Sequence, residues 1–121
     1  MGEDPPRFSS LRAAARGLLV VGVLAGCSAA LPEPDASQVE KLRIVDSGVT
    51  LSNLEHGRSL YAERCAGCHT LKDPRSLTRE AWIRGLRTMQ VEEGVRLEPP
   101  DARDIERYLV ATSSDGPRNA R

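Results

Sequence analysis

Aromatic residues are almost missing from this chain. Its 121 residues hold one Trp, two Tyr and one Phe, too few to fill a self-sufficient core. A small domain with so little bulk usually leans on a disulfide, a metal or a cofactor. Charge of one sign is missing too: 17 basic residues balance 17 acidic ones, whereas a nucleic-acid binder wants a clear basic excess. No apolar run is long enough to span a bilayer comfortably, since "GLLVVGVLAG" stops after residues 17–26. Cysteines number three, an awkward count for a secreted disulfide scaffold. Clear strand alternation, internal repeats and low-complexity tracts beyond one short linker are also wanting.

What is present begins with an export pattern. Arg7, Arg12 and Arg16 precede the apolar run, which ends in small residues. The acidic "MGEDPP" at the front is unusual for such a segment and leaves the true start codon open. "LAGC", Leu24 to Cys27, resembles a bacterial lipobox, which implies a signal peptide over 1–26 and lipidation of Cys27. An ordinary signal peptide with a cysteine near its cleavage region is the alternative. In a Gram-negative cell, Ser28 after the lipidated cysteine implies by the same resemblance the outer rather than the inner membrane. Residues 27–50 then read as a lipidated N-terminus and flexible tether, because "SAALPEPDASQ" offers little that packs; 39–53 is ambiguous between an irregular lead-in and a short extended segment.

The chain beyond reads as all-α, with about three helices in a domain over 51–113 and a disordered tail over 114–121. The first helix is expected to start at Ser52 or Asn53 as N-cap and to run to Cys65, with Leu54, Leu60 and Tyr61 apolar. The second takes Thr78 as N-cap, with Trp82, Leu86 and Met89 on one face and Gly94 as its stop. The third opens at Pro99–Pro100 and carries Ile105, Tyr108 and Leu109.

Two of the three cysteines stand in "CAGCH" (65–69), beside one of only two histidines. C-x-x-C-H is the attachment pattern of c-type haem. On a helical turn Cys65 and Cys68 lie on one side and reach the two vinyl groups of a porphyrin edge, and His69 projects toward the iron. Small Ala66 and Gly67 let the ring approach the backbone. The competitors are weaker. Zinc would need Cys65, Cys68, His69 and the distant His56 together. A thioredoxin-like dithiol wants a βαβ setting, and a disulfide closing so short a loop stabilises little.

"GRSLYAERCAGCHTL" resembles the haem-attachment helix of the small monohaem cytochrome c family, and "DIERYL" (104–109) its C-terminal helix. The resemblance implies a cytochrome c-like fold around one covalent haem c. It implies a close helix crossing with Gly57 against Tyr108 or Leu109. The middle, "DPRSLTREAWIRGLRTMQ", is similar to a compact subset whose tryptophan-bearing helix carries a methionine.

Met89, the only methionine after the signal, is the candidate second axial ligand, a soft thioether that raises the reduction potential; core filler is the alternative. His56, the rival ligand, reads as a surface histidine. Pro74, or a neighbour, offers a carbonyl for the Nδ1–H of His69, unless Asp73–Pro74 merely makes a turn. Arg75, Arg79, Arg84 and Arg87 are available to the haem propionates. The expected function is a lipid-anchored single-electron carrier of the bacterial envelope, not an enzyme, facing the periplasm and an unidentified redox protein. A haem-based ligand binder or accessory redox subunit with an open distal iron is the alternative.

Overall fold

The computed structural model describes residues 30–116, and these are all-helical. Four helices follow in order: α1 (Ala36–Leu42), α2 (Leu51–Cys65), α3 (Arg79–Val91) and α4 (Pro99–Thr112), with a 3-10 turn at Pro74–Ser76 before α3. The expected signal peptide and Cys27 lie outside the described residues. Among the described residues no helix is long and apolar enough to cross a membrane.

The expected flexible tether is corrected at this point, because a fourth helix stands inside it. Asp35 caps α1 through the backbone N–H groups of Ser37 and Gln38, and Gln38 returns a bond to the Asp35 N–H. Val39 and Leu42, spaced to share one face, are buried with Val49, Leu54, Val110 and Ala111. Their burial gives a seven-residue helix, too short to persist alone, a reason to form.

α2 starts two to three residues earlier than expected. Thr50 is its N-cap, and Asn53 sits inside the helix, accepting from the Thr50 N–H to complete a capping box. Thr78 does cap α3, bonding the Ala81 N–H. Gly94 follows the end of α3 at φ 68°, a left-handed conformation that glycine tolerates at little cost. α4 opens on its two prolines, whose missing N–H groups fall where a helix has no partners for them.

The core sits between α2 and α4, which cross at Gly57. A Cβ added there would lie 1.9 Å from the Asp104 carbonyl oxygen and 3.0 Å from the Tyr108 Cβ. Only a residue without a side chain permits this approach. Around it Leu60, Tyr61, Trp82, Leu86, Ile105, Tyr108 and Leu109 form one buried cluster. The Tyr61 and Trp82 rings meet edge-on at 5.8 Å and 84°, the geometry that aromatic quadrupoles favour. The expected disordered tail is ordered at its start: Ser114 donates to Leu77 O at 2.9 Å, and Asp115 accepts from the Arg79 N–H at 2.7 Å.

Candidate functional site

α2 delivers the first wall of the site. It ends at Cys65, and residues 66–68 form a turn. Cys65 is half-buried against the core cluster, while Cys68 and His69 face solvent. Burial, and then the neighbouring Cys68, hold the Cys65 thiol above its ordinary pKa.

α3 delivers the second wall. Arg84, Gly85, Thr88 and Met89, followed by Glu93 and Val95, face Arg64, Cys65, Cys68 and His69 across one cleft of about 650 Å³. That volume lies within the range of small-molecule and cofactor sites, and the walls are mostly apolar. Gly85 adds to its width, since a Cβ built there would meet nothing within 4 Å. Trp82 and Leu86 turn into the core, while Met89 is half-buried at the boundary of core and cleft. The expectation that Met89 shares a face with Trp82 and Leu86 therefore needs refinement: the stripe divides, and Met89 belongs with Gly85 and Thr88.

His69 Nδ1 lies 2.9 Å from the carbonyl oxygen of Thr70. A carbonyl only accepts, so this contact places the proton on Nδ1 and leaves the Nε2 lone pair for a metal. The expected role of Pro74 is corrected in part. Its carbonyl accepts from Trp82 Nε1 at 2.7 Å, inside the core. One further bond holds the same loop, from the Tyr61 hydroxyl to Lys72 O at 2.7 Å. Desolvation raises the Tyr61 phenol well above its ordinary pKa, with Cys65 adding to the shift, and burial pushes Tyr108 up to about 12; both hydroxyls stay protonated donors.

The arginines separate clearly. Arg84 lines the cleft, and Arg64 joins it although the sequence drew no attention to it. Arg75 is bound to Asp73 through two nitrogens. Arg87 is exposed outside the cleft lining.

His56 does not line the cleft. Its Nδ1 lies 3.1 Å from Asp104 Oδ2, which Asn53 also approaches at 3.4 Å, while Arg107 bonds Asp104 Oδ1 at 3.0 Å and Asp46 at 2.7 Å. Burial alone would raise the Asp104 carboxyl; the bonds from His56, Arg107 and Asn53 outweigh it and hold the group below the usual carboxylate range. Sequence reasoning missed this cluster. Asp104 precedes the apolar Ile105 and reads as a solvent-facing acid, and its α2 partners are about fifty residues away.

The residues brought together fit a covalent porphyrin. Two thiols are spaced for its vinyl groups, an imidazole nitrogen is free for iron, a thioether stands on the opposite wall, and the cleft between them is wide and apolar. When bound, haem c would supply reversible one-electron chemistry at iron; Cys65 and Cys68 would hold it, and His69 and Met89 are the cleft residues that could reach its iron. Among the described residues no group of three or more His, Cys, Asp or Glu is placed to hold a bare metal ion, which removes support from the zinc reading.

Comparison with known proteins agrees with this chemistry. The family model of dihaem cytochrome c matches residues 61–121, from Tyr61 on α2 through the motif and both later helices. No curated protein and no solved structure matches the chain. With C-x-x-C-H, its cleft and half of the sequence inside that match, the chain belongs to the dihaem cytochrome c family and is a c-type cytochrome.

Proposed function

We propose that this chain is a monohaem, lipid-anchored electron carrier of the bacterial cell envelope. The observation that carries it is the cleft itself, which joins Cys65, Cys68 and His69 on one wall to Met89 on the other. The family name counts two haems, whereas the sequence holds a single C-x-x-C-H among its three cysteines. One haem therefore binds per chain, and Met89 completes its coordination. A filled sixth position suits electron transfer, because no substrate has to reach the iron. The lipobox-like "LAGC" supports an anchor at Cys27, and Ser28 favours the outer membrane in a Gram-negative cell.

Optical spectra with and without carbon monoxide test the assignment. The haem should stay on the chain through acid–acetone extraction. The ferric protein should show a thioether–iron charge-transfer band, and the ferrous protein should react slowly with carbon monoxide. Met89→Ala should abolish the band, admit carbon monoxide and lower the potential. Fast binding by the wild-type chain, unchanged in Met89→Ala, would move the assignment to a ligand binder with an open distal iron.

A further inference from the structure

From Leu31 to Gln38 the chain before the haem domain is much less free than its composition implies. Leu31 packs against the core cluster, and its carbonyl is held by Arg58 from Nη2 at 3.1 Å and Nε at 3.4 Å. The next carbonyl, of Pro32, accepts from the hydroxyl of Tyr108, a residue with no exposed surface, at 2.9 Å. Asp35 then caps α1, and Gln38 Nε2 reaches Ala111 O on α4 at 3.1 Å. The segment is strapped to α2 and α4 along its length. The strap begins beside the haem end of the domain: Leu31 borders a shallow hollow with Arg58, Ser59, Ala62 and Glu63, and Ala62 lies one helical turn before Cys65.

Reach follows from chain geometry. Three residues lie between Cys27 and Leu31, and the four steps along the chain, at about 3.6 Å each, extend no more than roughly 14 Å. The tether expected over 27–50 would allow several times that span.

We propose that the strap makes this domain a fixed station on the bilayer rather than a swinging carrier, and that its electron partner is a redox protein held in or on the same membrane. This rests on the lipid anchor proposed above. A domain bound so closely keeps its Cys65 end near the lipid surface. A membrane-held partner meets it there, whereas a bulky soluble carrier is obstructed by the bilayer.

The test uses the full acylated holoprotein in vesicles that contain a headgroup-fluorescent lipid, with the haem as quencher. A second chain carries twelve Gly/Ser residues inserted between Ser28 and Ala29, upstream of the strap, adding roughly 20 Å of root-mean-square reach. Quenching should fall about twofold or more in the lengthened chain. Reduction by a soluble ferrous cytochrome c should become about tenfold faster, while reduction by ascorbate stays the same. An acylated protein whose quenching and reduction are unaffected by the insertion overturns the fixed station and leaves the anchor standing. A mature chain without acyl mass overturns both.

Discussion

The two faces of α2 are built in opposite ways. Toward α4 the helix backbones touch at Gly57, and the side chains around the crossing are fully buried. Toward the end of α3 the walls stand apart and enclose the cleft between Cys65 and Met89. One face is closed by the protein's own atoms; the other is left for a flat apolar guest. The paucity of aromatic residues thus has a location. Tyr61, Trp82 and Tyr108 are all in the shared core, and none lines the cleft.

The largest expected effect comes from leaving the open face unfilled. Replacing both Cys65 and Cys68 with Ser should prevent covalent attachment and destabilise α3 far more than the crossing. In hydrogen exchange, α3 amides should lose protection by orders of magnitude, while those of α4 near Ile105 and Leu109 remain the slowest. Equal loss on both helices would mean that the crossing depends on the cofactor as much as the cleft does.

Next in size is an attack on the closed face. Gly57→Ala places a methyl group against the Asp104 carbonyl, so the helices must separate. Overpacking of this kind costs about 3 kcal/mol, or a fall of about 12 °C or more in melting temperature for a domain of this size. Thermal denaturation followed by circular dichroism measures it. An unchanged melting temperature would show that the crossing relaxes freely.

The smallest effect concerns the polar rim of the crossing. Asp104 and Asp46 both have depressed folded-state pKa values: in Asp104 hydrogen bonds overcome burial, and in Asp46 the bond from Arg107 dominates. Their contribution is therefore fully present above the ordinary carboxylate pKa, about 3.9, and is lost as pH falls through the lower folded values. Asp104→Asn should lower stability by about 1–3 kcal/mol at neutral pH and flatten the loss of stability below about pH 4. Urea titrations at several pH values follow both.

Much of this contrast was legible in the residues. C-x-x-C-H at the end of its helix, the Thr78 cap and the Pro99–Pro100 start are local signals, and each has its expected place; the glycine at the crossing was expected from the family resemblance alone. α1 was not read, because alanines and prolines around it resemble a linker. Yet "DASQ" has the D-x-x-Q form of a capping box, and Val39 and Leu42 share the spacing of one helical face. What no local pattern reveals is that α4 lies beneath them. The Asp104 cluster was hidden for the same reason, since the partners of a buried acid are set by the crossing. The close contact of Gly57 was expected with Tyr108 or Leu109; it includes Tyr108 but is tightest at the Asp104 backbone.

The loop after His69 is held from below by two hydroxyl and indole donors, Tyr61 to Lys72 O and Trp82 to Pro74 O. Both donors are rings wedged in the core, so neither carbonyl moves without disturbing the packing beneath. A loop hung from two such pegs keeps its shape when the charge beside it changes. The segment beside the motif then has little rearranging to do when the charge of the neighbouring site changes.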